Sequence, residues 1–118
     1  MELNSIIGFR LTEIQKTAKQ TTLFFAKRGS GEKIQLSFER GLLFETPSPA
    51  TDRKVLKIDL KTVLGFKALT ELRNQNLNPQ DFQQLLIEME GSTGEYKIEL
   101  ICVFRQHKLR KVREKAKV

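Results

Sequence analysis

LLIEMEGSTGEYKIELICVF, residues 85–104, decides the fold class. Leu85, Ile87 and Met89 alternate with Leu86, Glu88 and Glu90. Gly91-Ser-Thr-Gly94 turns the chain, and Tyr96, Ile98, Leu100, Cys102 and Phe104 alternate on the return. Successive side chains of an extended strand point to opposite faces, so this pattern predicts an antiparallel hairpin. From Leu100 to Phe104 both faces are apolar, which predicts a central strand covered on both sides. A helix opening at Pro79 with Asn78 as N-cap competes for the start of this segment, and the alternation through Met89 favours strand.

Working outward, Ile7, Phe9 and Leu11 alternate in a first strand. The runs Thr22–Lys27 and Lys33–Phe38 flank Arg28-Gly-Ser-Gly31 as a second hairpin. Gly41 breaks the pattern before a strand at Leu42–Thr46, and two prolines make Pro47–Asp52 a surface loop. Val55–Leu60 alternates again, with Leu56, Ile58 and Leu60 on one side. Val63, Leu64, Phe66, Ala68, Leu69 and Leu72 fit a helical stripe, although Gly65 weakens it and a strand through 63–69 is the alternative. Leu109, Val112 and Ala116 then fall at helical spacing. The expectation is an α+β fold: a mostly antiparallel β-meander of about six or seven strands, a middle helix and a basic C-terminal helix. One strand-rich domain spans 1–104, followed by a basic helix or tail over 105–118.

Charge divides the chain at the same place. Residues 105–118 hold seven Lys/Arg against Glu114 alone, net +6, while residues 1–104 hold fourteen against thirteen acids, net +1. The cations Arg105, Lys108, Arg110, Lys111, Arg113, Lys115 and Lys117 are therefore the candidate site for nucleic acid or an acidic partner. The stripe of the tail has no aromatic to anchor in lipid headgroups, which argues against membrane-surface attachment. The longest apolar run, Leu100–Phe104, is far short of the ~20 residues of a membrane-spanning helix. With no secretory signal at the N-terminus, a cytoplasmic location is expected.

The inventory argues against an enzyme. There is one His and one Cys, so an internal disulfide is excluded and no zinc spacing exists. In an unbroken strand Cys102 and His107 would point to opposite faces, a poor nucleophile–base pair. Cys102 reads as a small core residue, and neighbouring cations would disfavour protonation of His107. Glu88, Glu90, Glu95 and Glu99 could hold a divalent cation, but a solvated sheet face with Lys97 as cross-strand partner explains them better. Neither glycine loop has the Lys-Ser/Thr of a phosphate cradle. No catalytic residue, metal site or small-molecule cofactor is expected.

Phe24 falls opposite Leu23 and Phe25, and Ile101 and Val103 fall opposite Leu100 and Cys102. A small sheet with apolar residues on both faces needs helices or another chain to cover the second. The leading expectation is therefore a non-enzymatic binding or accessory module acting through protein–protein contacts, with a protein partner or a homodimer. The alternative is a nucleic-acid-associated protein that grips phosphates through the basic tail. Lone Phe24 makes no stacking platform, so such binding would be unspecific.

The stretch Ile6-Ile-Gly-Phe-Arg-Leu-Thr-Glu-Ile14, followed by LFF and LSFERGLLFE, is similar to the strand-and-turn opening of many small bacterial domains, some of them toxin-neutralising or accessory proteins. The likeness covers roughly the first 45 residues, names no family and assigns no residue a role.

Overall fold

A computed structural model describes residues 2–39, 41–46, 53–61, 63–90 and 97–113. Eight strands form one antiparallel sheet: β1 (Arg10–Lys16), β2 (Gln20–Ala26), β3 (Glu32–Glu39), β4 (Leu42–Thr46), β5 (Arg53–Lys61), β6 (Gln83–Glu90), β7 (Lys97–Phe104) and β8 (His107–Arg113). One helix, α1 (Phe66–Asn74), lies between β5 and β6. The spatial order is β4-β7-β6-β5-β1-β2-β3-β8. The fold is thus mostly β, with the middle helix as expected.

That linear order hides a closure. Only a short link separates β3 from β4, and Arg105-Gln106 alone separates β7 from β8. Phe38 pairs with His107 and Leu42 with Val103, and the numbers of paired residues add to 145 in both ladders. β3–β4 and β7–β8 are therefore two bent strands paired along a single register. Six staves result, closed by the short pairing of Arg10 and Leu11 with Lys54 and Arg53. The core fills the space between the two halves: Leu11, Leu23, Phe25, Ile34, Leu36 and Phe38 face Val55, Leu85, Ile87, Met89, Leu100 and Cys102.

The bend inverts which side chains face inward. Even-numbered Leu36 and Phe38 point to the core along β3, whereas odd-numbered Leu43 does so along β4. Phe104 and His107 make the matching switch on the partner strand. Phe38 and Phe104 stack at 5.2 Å between ring centroids, and His107 meets Phe104 edge-on at 5.2 Å. Glycine at 41 makes this stacking fit, because a Cβ there would overlap the Phe38 ring.

Two departures concern the C-terminus and the strand count. Residues 107–113 form a β-strand and not the expected helix. A three-residue apolar stripe buries too little to hold a short helix, which is marginal in water. Pairing with β3 instead satisfies the facing backbone groups of both strands and places Leu109 beside Leu36. The count rises to eight because residues 107–113 add β8 to the strands that alternation predicts.

Smaller differences have local causes. β1 begins at Arg10 and not at Ile7, because Leu3–Ile6 forms a 3₁₀ turn and Gly8 takes φ +90°. A bulge between Val55 and Lys57 takes Leu56 out of the ladder and aligns Val55, Ile58 and Leu60 with Met89, Ile87 and Leu85 of β6; Leu56 and Leu60 are both exposed. At Pro79 the competing helix survives as a single 3₁₀ turn, where Asn78 Oδ1 accepts from the Gln80 N–H at 3.2 Å. Strand β6 then takes over. The expected loop at 47–52 and the turn at 91–94 lie outside the described residues.

Helix α1 covers the second face of the central strand. Leu64, Ala68 and Leu72 pack with Val103, Ile101, Leu42 and Phe44, so Leu100–Phe104 is enclosed on both sides. The Gly65 N–H at its start donates to Gln84 Oε1 at 2.8 Å, tying the helix to β6. Val63 and Phe66, expected within the helical stripe, are 77% and 84% exposed.

Gly41→Ala should destabilise the fold by about 1–3 kcal/mol, the usual cost of overpacking. Urea unfolding of Gly41→Ala, Phe38→Leu and the double variant would measure it. Strict additivity of the two effects would refute the clash, since contacting residues couple.

Candidate functional site

Strand β8 is an edge. Its inner side pairs with β3, and among the described residues its outer side has no neighbouring strand. Half of an edge strand's N–H and C=O groups point outward, a ready template for another extended chain. The alternation sorts its side chains. His107, Leu109 and Lys111 share the face of Phe38, Leu36 and Ile34, whereas Lys108 and Arg110 share the outer face with Ser37 and Gln35.

The predicted cations are therefore not one cluster. Lys108 and Arg110 are exposed on the outer face. Lys111 turns to the other side and reaches Glu32, Nζ to Oε1, at 3.3 Å. That pair is partly exposed, so it contributes at most about 1 kcal/mol. Arg105 sits at the bend with its guanidinium carbon 5.2 Å from the centroid of Phe82. Arg113 closes β8 as the register partner of Glu32, and Lys115 and Lys117 lie outside the described residues.

The outer face beside β8 carries one cross-strand row, Arg110–Gln35–Phe24–Glu13. Phe24 is the half-buried aromatic of that row, on the face opposite Phe25 as its position implied. Its immediate partners are a glutamine and a carboxylate. The row is polar and mixed in charge, with a single ring.

A cleft of about 620 Å³ opens at the bend. Phe38, Leu77 and Phe82 supply its apolar walls, and Arg105, His107 and Lys108 bring positive or titratable groups to it. Glu39 is its one carboxylate; Gln20, Ser37 and Gln106 complete the polar lining. Of these ten residues Arg105 and Lys108 stood out in the sequence as candidate binding cations, and His107 as a side chain weighed and set aside as a base. The others come from separate segments that meet only because the strands bend, so no local spacing marks them.

Histidine and cysteine correct one expectation about facing. The inverted parity at the bend puts Cys102 and His107 on the same side of the sheet, where an unbroken strand would oppose them. Cys102 is wholly buried, while His107 is exposed at the cleft. The His107 imidazole is held below its ordinary value of 6.5, and the cause is desolvation rather than the neighbouring cations. Glu88 and Glu99 face each other across β6 and β7, with Lys57 beside Glu88 on β5 and Glu90 opposite Lys97 in the ladder. Glu95 lies outside the described residues. Among the described residues no three His, Cys, Asp or Glu side chains gather as metal ligands, and no helix is long and apolar enough to cross a membrane.

Comparison of the chain with family models, with curated proteins and with solved structures found no match.

Because folding lowers the proton affinity of His107, the unfolded chain takes up that proton first as pH falls through 6.5. Stability from this residue is complete above that value and declines below it. Urea midpoints should therefore fall between about pH 7.5 and 5.5, the range in which histidine titrates. His107→Phe, which keeps a ring against Phe104, should flatten that slope. An unchanged slope in the variant would assign the dependence to other groups.

Proposed function

We propose that this chain is a non-enzymatic binding module that captures an acidic, extended segment of another protein along β8. The observation that carries the reading is the position of β8: a basic strand at the edge of the sheet, with Lys108 and Arg110 exposed beside an outward-facing backbone. An added strand gains main-chain hydrogen bonds from such an edge, and acidic side chains on it gain the two cations.

The same charges weigh against a homodimer through this strand. Two copies of β8 paired edge to edge would bring Lys108, Arg110 and Lys111 of both chains together, and like charges across strands destabilise a ladder. Nucleic acid is the second reading, favoured by the exposed cations near Phe24. It makes no use of the strand's N–H and C=O pattern, and that pattern favours a protein partner.

A capped peptide of alternating Glu and Thr, matched to the seven residues of β8, is the direct probe. Binding followed by amide chemical shifts should perturb residues 107–113 and weaken as salt rises. Arg110→Glu should reduce affinity about tenfold or more, since removing and reversing a charge contact is worth over 1.4 kcal/mol. N-methylating alternate peptide bonds should abolish binding. If N-methylation has no effect, or if oligothymidylate binds as tightly as the peptide, strand capture is wrong and charge alone acts.

A further inference from the structure

We infer that the cleft at the bend is a binding site for a small, flat organic anion: an aromatic or heteroaromatic ring carrying one phosphate or carboxylate. The site does not depend on strand capture by β8, with which it shares His107 and Lys108. Its volume, about 620 Å³, lies within the range of small-molecule sites, and it joins apolar walls to a few convergent polar groups.

Ring recognition comes from Arg105. Its guanidinium carbon lies over the Phe82 ring, 5.2 Å from the centroid, and the side chain is exposed at the cleft. Phe82 is 3% exposed and packed with Leu72, Val103 and α1, so the platform beneath Arg105 is rigid. A planar cation backed by a fixed ring presents its second face to another flat π-system, as guanidinium planes do for unstacked bases. The ligand ring would become the third layer of a Phe82–Arg105–ligand stack.

Charge recognition comes from the rim. Arg105 and Lys108 outnumber Glu39, and His107, held below its ordinary value by desolvation, is neutral at pH 7 and donates or accepts without adding charge. Among the described residues the local excess is a single positive charge, which suits one anionic group. Glu39 opposes a bare polyanion and can accept from an amine on the ligand ring. A lone phosphate satisfies the rim and leaves the guanidinium face uncovered; a ring without charge does the reverse.

Adenosine 5′-monophosphate, adenosine and inorganic phosphate separate these contributions. Titrated against ¹⁵N-labelled full chain, the monophosphate should shift the amides of Phe38, Leu77 and Arg105–Lys108, with a Kd of about 1 mM or tighter, as an open cleft allows. Adenosine and phosphate should each bind about tenfold more weakly, by loss of one of two contacts. Arg105→Lys keeps the charge and removes the plane, so it should weaken the monophosphate and adenosine alike. Lys108→Gln should weaken the monophosphate and leave adenosine unchanged. The dispersion of each variant's spectrum reports its folding, and both side chains are exposed.

The site is refuted by any of three results. These are no shift at the cleft with monophosphate at several times the expected Kd, phosphate binding as tightly as the monophosphate, or indifference of monophosphate binding to Arg105→Lys. Strand capture by β8 is read separately through Arg110→Glu, which lies outside the cleft, so either reading can fail alone.

Discussion

The ladder that runs from Glu32 opposite Arg113 to Thr46 opposite Glu99 belongs to both halves of the sheet. It turns one corner without losing register, and that constraint places everything else. An inward position needs three residues rather than two to repeat at the corner, in both strands at once. Phe38 and Phe104 can then stack across the place where Gly41 has no side chain. Beyond the corner the inward set changes parity, so Leu43 and Cys102 complete a core begun by Leu36 and Phe38. A sheet that bends in this way encloses its apolar face and leaves only β4 and β8 as edges.

The two edges differ in protection. On β4, Leu42 and Phe44 lie in the cluster organised by α1, which buries the outer face of the adjoining β7. No helix serves β8. Its side chains discourage self-association by charge, a common defence of exposed strands. This contrast explains why one helix suffices for a sheet with apolar residues on both faces: the second apolar face exists only on the β4–β7 side. Around Phe24 the corresponding face is polar.

Much of the architecture was legible from alternation alone. β2, β3, β4, β6 and β7 fall where Leu23/Phe25, Ile34/Leu36/Phe38 and the hairpin of residues 85–104 place them, and the helical stripe through Leu64, Ala68 and Leu72 is real. The failures share a cause. Leu109 and Val112 suit a helix by spacing, and only the unsatisfied edge of β3, more than seventy positions earlier, makes them a strand. Leu56 was placed on one side with Ile58 and Leu60 because a bulge leaves no mark in an alternating run. The opposite facing of Cys102 and His107 followed from an unbroken strand, and a corner at Arg105-Gln106 is a tertiary event. Of the cleft, Arg105, His107 and Lys108 were visible as polar side chains of the basic segment and Phe38 as one face of a strand; nothing marked Leu77 or Phe82.

The register shared by β3–β4 and β7–β8 also constrains the order of assembly. β1, β2 and β3 can form as a local meander, but the staves close only when a segment far along the chain returns to β3. Closing so long a loop costs entropy before any contact compensates, so the ring should form late and slowly compared with its hairpins. Until then Ile34, Leu36 and Phe38 line an open edge. A nascent chain therefore passes through a stage in which one edge of β3 is unpaired, and the cations of β8 arrive last to seal it. The basic segment that first drew notice as a handle for partners is also the molecule's own closing stave.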